Sequence, residues 1–302
     1  MNDEIIPEIC SLHFGKNPEG WERCSVGFGN YVFIVKYGDV KYILRCSEDE
    51  GAYSGTVRWL GELSEIGVHV PEVLFYGRYG GFDYLILSFI EGRDIGVVYG
   101  ELTADEKMGI AREVTEIQKK VSRLDLGDSD EWDWNGFIDE MLETAERRII
   151  KNGYFDREKV RLLKSEKGRL REYFEKVRPI SYLDDISTKN LLIYEGKISG
   201  IIDVDKMGAG DSLTFIALTY VALLNERYDT DYVEYLLSER GCADDEMNAF
   251  LFYSLMFCVD FMGERGCVFG DKKVAVNEEI ICRLNGIFDM LWGEWRKRFY
   301  GE

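Results

Sequence analysis

The chain has 302 residues, 46% of them hydrophobic, enough for one large or two modest packed domains. Its 56 acidic against 37 basic side chains give a formal charge of −19, which argues against nucleic acid or an anionic membrane as partner and suits a cationic ligand, although an acidic surface also serves solubility. Two histidines and seven scattered cysteines leave little for a zinc site or a serine–histidine hydrolase, and the cysteines read as reduced core residues of a cytoplasmic protein with no membrane span.

In chain order, the first pattern is β-rich. CSVGFGN, YVFIVKYG and VKYILRC are short strand-like runs parted by Gly or Gly-Asp turns, from about Trp21 onward. SGTVRWLGELSEIG then has helical spacing at Val57, Leu60 and Leu63 and stops at Gly67. VPEVLFYG and FDYLILSFI follow as strands, so residues 1–90 predict a lobe of five strands around one helix. After EGRDI the spacing turns helical through residues 91–302: TADEKMGIAREVTEIQKKVSRL with a T-x-x-E capping box at Thr103 to Glu106, NGFIDEMLETAERRIIKNG, DREKVRLLKSEKGRLREYFEKV, and three apolar helices beyond Asp211. One hairpin, LLIYEGKISGII, interrupts them.

That hairpin carries acids at its open end. With Gly196 and Lys197 as a two-residue turn, Glu195 faces Ile198 and Asn190 faces Asp203, on one side of the ribbon and with Cβ atoms about 4.5–5.5 Å apart. An amide oxygen and a carboxylate converging there suit a hard cation such as Mg²⁺. Asp185, five residues before Asn190 in the preceding loop, is placed to accept a proton from a hydroxyl. Taken singly, each of these residues also reads as a turn cap.

Asp185-x-x-x-x-Asn190, the run ISGIID ending at Asp203, and Gly210-Asp211 together resemble the aminoglycoside phosphotransferase and choline kinase group of protein-kinase-like small-molecule kinases. The resemblance implies an α+β, two-lobed protein-kinase-like fold with a β-rich N-terminal lobe, a mostly helical C-terminal lobe, and ATP or GTP bound between them. It implies Asp185 as the residue that orients or deprotonates the acceptor hydroxyl, with Asn190 and Asp203 as Mg²⁺ ligands. Gly27 and Gly29 in SVGFGNYVFIV match the glycine-containing phosphate loop, Arg45 the phosphate-binding lysine, and Ser88 to Ile90 the connector whose backbone meets the nucleobase. Lys189 is a further candidate for charge near the phosphates, or else a solvated lysine.

The chain departs from that family at several places. Leu183-Asp184-Asp185 replaces His-Gly-Asp, Arg45 replaces lysine, Tyr53 stands where a helix glutamate is expected with Glu48 or Glu50 as substitutes, and Phe215 replaces a further aspartate. Two readings follow: an active Mg²⁺-dependent kinase, or a catalytically degenerate pseudokinase or ligand sensor. For the acceptor, Asp260 and Glu264 are i, i+4 neighbours in an apolar helix, and Trp132 and Trp134 lie among acids in DSDEWDWNGF. These point to an aminoglycoside-like or other amine-bearing hydroxyl compound, with an internal arginine and a helix start as the structural alternatives.

Overall fold

The computed structural model describes residues 4–24, 31–126, 132–269 and 272–301. The chain divides into two compact units, one of Met1–Gly92, Ser199–Lys206 and Phe269–Lys272, the other of Arg93–Ile198, Met207–Val268 and Lys273–Glu302.

The first unit begins with a helix, α1 (Ile5–Phe14), followed by β1 (Gly20–Arg23), β2 (Tyr31–Tyr37), β3 (Val40–Ser47), α2 (Ser54–Glu65), β4 (Val73–Tyr79) and β5 (Phe82–Ser88). The strands form one antiparallel sheet in the order β1-β2-β3-β5-β4. Alternation along the strands sends Phe33, Val35, Leu44, Cys46, Tyr84 and Ile86 to one face, where they pack with Ile6, Ile9 and Cys10 of α1. Arg45, between Leu44 and Cys46, therefore belongs to the opposite face. One expectation changes here. α1 adds a second helix whose apolar residues at positions 5, 6, 9 and 10 have helical spacing, while the run CSVGFGN lies, apart from Cys24, outside the described residues, among which the first strand is Gly20–Arg23. Gly27 and Gly29 lie outside the described residues.

The second unit runs through β6 (Arg93–Asp94), a short α3 (Ile95–Val98), α4 (Ala104–Val121), α5 (Trp134–Asn152), α6 (Glu158–Glu166), α7 (Arg171–Phe174), β7 (Ser181–Tyr182) and β8 (Leu191–Tyr194). The chain continues through β9 (Lys197–Ile201), which passes into the first unit at Ser199, then β10 (Gly208–Ala209), α8 (Leu213–Glu226), α9 (Asp231–Arg240), α10 (Asp244–Glu264) and α11 (Glu278–Tyr300). The predicted capping box opens α4: Thr103 Oγ1 accepts from the Glu106 amide, and Glu106 accepts from the Thr103 amide. The stretch expected as one helix over residues 156–177 is broken into α6 and α7 by a tighter turn, Lys167–Leu170, that contains Gly168. The polar segment Asp231–Arg240, which has no place in the sequence reading, forms α9. Helix α10 is buried on most of its circumference and forms the centre of this unit. Cys10, Cys46 and Cys258 are core residues, whereas Cys282 is exposed, and all seven cysteines are free. Among the described residues no helix is long and apolar enough to cross a membrane.

Candidate active site

The hairpin turns on Glu195 and Gly196, whose φ values of 50° and 74° give the two positive dihedrals of a type I′ turn. The turn on Gly196 and Lys197 is thus corrected: Glu195 enters the left-handed region, Tyr194 faces Lys197, and Asp203 falls two residues past the end of β9. The predicted opposition of Asn190 and Asp203 is lost with it. What the two residues share instead is a left-handed backbone, φ 65° at Asn190 and 59° at Asp203. Asn and Asp tolerate that region best among non-glycine residues, and such conformations gather at functional sites.

The loop bearing Asp185 is held from every side. Strand β7 pairs with β10, Tyr182 opposite Gly208, where a Cβ would come within 2.6 Å of the tyrosine ring. Ser181 Oγ donates to the carbonyls of Val121 and Leu124 at 2.6 and 2.9 Å, and Thr214 Oγ1 donates to Tyr182 Oη at 2.8 Å. Gln118 of α4 clamps Leu183: its Nε2 donates to the Leu183 carbonyl at 2.8 Å, and its Oε1 accepts from the Leu183 amide at 2.9 Å. That buried amide supplies backbone anchoring in a loop that lacks the family's histidine. At the far end, the Asn190 amide donates to Asp94 Oδ1 at 2.8 Å and Gly96 N donates to the Thr188 carbonyl at 3.0 Å. Asn190 Nδ2 reaches back to the Asp185 carbonyl and to Asp185 Oδ2 at 2.9 and 3.1 Å. Asp185 and Lys189 are exposed.

Asp185 and Asp184 open into a cavity of about 580 Å³, walled by Trp132, Trp134, Phe137 and Phe257, with Asp133 at its edge. This is within the size range of small-molecule sites. The two tryptophans play different parts. Trp134 is 2% exposed and donates from Nε1 to Tyr253 Oη, so it is mainly a wall built into the core. Trp132 is only half-buried and stacks on it at 6.3 Å. A larger cavity, about 670 Å³, shares Tyr182 and is lined by Gln118, Asp211 and Arg240 but by none of the predicted site residues. Its buried Asp211 accepts from the hydroxyls of Tyr173 at 2.6 Å and Tyr253 at 3.0 Å, and from the Leu213 amide.

Asp260 and Glu264 do not line the cavity of Asp185. Both face Arg148, at 3.2 and 3.9 Å, and burial together with the Glu264 charge pushes the Asp260 carboxyl up to about 6 against the pull of Arg148. The internal arginine weighed as their alternative partner is therefore present.

In the first unit, Arg45 is 6% exposed and forms a fork with Asp205, Nη1 to Oδ1 at 2.9 Å and Nη2 to Oδ2 at 2.6 Å. Its Nη1 is also 3.2 Å from Asp203 Oδ1. Thr56 Oγ1 donates to Asp205 Oδ1 at 2.7 Å, and the Tyr53 ring lies 5.3 Å from the guanidinium. The expected substitutes, Glu48 and Glu50, are not what holds Arg45: Glu48 accepts from Tyr31, and Asp205 is the partner. Asp205 reads from sequence as a surface charge because its partner is 160 residues away. At the connector, the Ser88 amide donates to the Glu72 carbonyl and Ser88 Oγ accepts from the Glu72 amide, so the nitrogen of Ser88 is already engaged. The Ile90 side chain packs over Gly200, where a Cβ would come within 2.7 Å of it.

A family model described as the phosphotransferase enzyme family matches residues 20–247. An aminoglycoside 3'-phosphotransferase of Escherichia coli is 23% identical over 274 residues, covering 83% of this chain and 93% of that protein. Among solved structures, a thermostable mutant of aminoglycoside phosphotransferase APH(4)-Ia in its apo form superposes with a TM-score of 0.68 at 16% identity, covering 96% of this chain and 99% of that one. The ADP-bound aminoglycoside phosphotransferase APH(2'')-Ib gives 0.63 at 14% identity, covering 98% and 99%. These likenesses show the fold that the resemblance implied, an antiparallel-sheet N-terminal part followed by a mostly helical part.

Proposed function

We propose that this chain, which belongs to the phosphotransferase enzyme family, moves the γ-phosphate of ATP or GTP to a hydroxyl of an aminoglycoside-like or other amine-bearing small molecule. The observation that carries this reading is Asp185, an exposed carboxylate on a loop fixed by Gln118, Asp94 and Asn190, opening into a cavity with aromatic walls and two further acids. The aromatic faces suit a ring, and Asp133 and Asp184 suit an ammonium group. The relatives support the same chemistry: one is an aminoglycoside 3'-phosphotransferase, and APH(4)-Ia has been solved as a ternary complex with ADP and hygromycin B. A pseudokinase draws no support from these comparisons.

In this reading Asp185 accepts the proton of the acceptor hydroxyl as its oxygen bonds to the γ-phosphorus, and the bond from that phosphorus to the bridging oxygen breaks to release the nucleoside diphosphate. Asn190 spends its nitrogen on Asp185, which leaves Oδ1 to offer a cation, and Asp203 offers a carboxylate. Both are the hard oxygen donors that Mg²⁺ takes, and the ion would neutralise phosphate charge. Arg45 serves the phosphates, with Lys189 as an added charge nearby. Trp132 is the acceptor's stacking face, and Trp134 is the wall behind it. Asp260 and Glu264, committed to Arg148, drop to a supporting role.

The test is product formation across a panel of amine-bearing alcohols with Mg·ATP and Mg·GTP, repeated for Asp185→Ala. The expected loss of turnover is about 10²–10⁴-fold with the melting temperature held, since Asp185 is exposed. A variant that turns over like the parent removes Asp185 from this role.

A further inference from the structure

A guanidinium buried in a sheet face must be neutralised and hydrogen-bonded, or it destabilises the unit that holds it. Here both terminal nitrogens of Arg45 are met end-on by one carboxylate, that of Asp205, and the carboxylate is in turn fixed by the Thr56 hydroxyl. The close approach needs space: a Cβ on Gly55 would come within 3.2 Å of the Asp205 carbonyl oxygen. Helix α2 contributes Thr56 and follows Tyr53, but it contributes no carboxylate to Arg45.

We propose that Asp205 is a positioning residue for nucleotide binding, the carboxylate that aims Arg45 at the phosphates in place of one carried by the helix. The inference rests on the reading of Arg45 as a phosphate contact. Of the five N–H donors of arginine, the fork to Asp205 uses two, and Asp203 lies against Nη1. Among the described residues Nε is buried with no hydrogen-bond partner, and buried donors are rarely left so. A phosphate oxygen arriving at that edge would satisfy Nε while the end-on fork stays intact. The planar guanidinium separates these contacts in space, the two Nη groups holding the carboxylate end-on and the Nε edge pointing elsewhere. The arginine and the displaced carboxylate therefore fit one arrangement, with Asp205 held on one edge of the guanidinium and a second edge left for phosphate.

The experiment measures the Kd of AMP-PNP and of GMP-PNP, each with MgCl₂, by calorimetry for the parent, Asp205→Asn, Thr56→Val, Arg45→Ala and the Arg45→Ala/Asp205→Asn double variant, with melting temperatures alongside. The tighter analogue is carried through the series. Asp205→Asn is expected to weaken binding tenfold or more and Thr56→Val about threefold, while the double variant stays within twofold of Arg45→Ala, because Asp205 acts only through Arg45. Binding by Asp205→Asn within twofold of the parent, or losses that multiply in the double variant, overturns the inference. If Asp205→Asn does not fold, Thr56→Val decides, and parental affinity in that variant overturns it. Parental affinity in Arg45→Ala overturns both this inference and the phosphate role of Arg45, and a parent that binds neither analogue overturns the proposed function with it. A weakened Arg45→Ala beside an unaffected Asp205→Asn sinks the inference alone.

Discussion

At residue scale, the same charge type is put to three uses. Asp185 is an exposed carboxylate on a fixed loop, Asp205 is a carboxylate forked to a buried arginine, and Asp260 is one whose environment disfavours ionisation. The last has a consequence for stability. With its carboxyl raised to about 6 from the ordinary 3.8, the folded protein holds this proton more tightly than the unfolded chain between those two values. Stability from this group is therefore greatest in acid, falls as pH rises through that window, and is flat above it. Melting temperatures of the parent and of Asp260→Asn, compared from pH 4 to 7, should show the parent losing ground to the variant up to about pH 6. A difference that does not change with pH would show that burial of Asp260 is without net effect.

At the scale of elements, α4 does more than pack. Its capping box sets where it starts, and that start determines which residue meets the loop about four turns later: Gln118, a buried amide whose two ends match the N–H and carbonyl of Leu183. Replacement by leucine leaves two buried backbone groups of Leu183 without partners, at a cost of about 1–3 kcal/mol each. Gln118→Leu should therefore lower the midpoint of urea unfolding and also reduce turnover, by letting the backbone two residues before Asp185 shift. Turnover equal to the parent's in the folded variant would show that the other attachments of the loop suffice. Sequence reading could place α4 and its cap, since both are local patterns. It could not single out Gln118, a polar residue near the end of an amphipathic helix, because nothing local marks it as buried.

At the scale of the molecule, a charge of −19 on 302 residues makes the surroundings of any site attractive to cations. For an amine-bearing acceptor, KM should rise severalfold as ionic strength goes from about 0.01 to about 0.1 M and the screening length falls from about 30 to about 10 Å. A KM indifferent to salt would argue for an acceptor recognised through the aromatic walls alone.

The sequence by itself determined the class of fold, a change from strands to helices read after residue 90, the capping box of α4 and the order Asp185, Asn190, Asp203, all of which are written in local periodicity and spacing. Only the tertiary structure decided who faces whom. The hairpin register turned on whether Glu195 would accept a left-handed backbone, a preference too weak to read from its residue type. The partners of Arg45, Leu183 and Asp260 lie 160, 65 and 112 residues away along the chain, and pairings at such distances are set by packing, which no local pattern encodes.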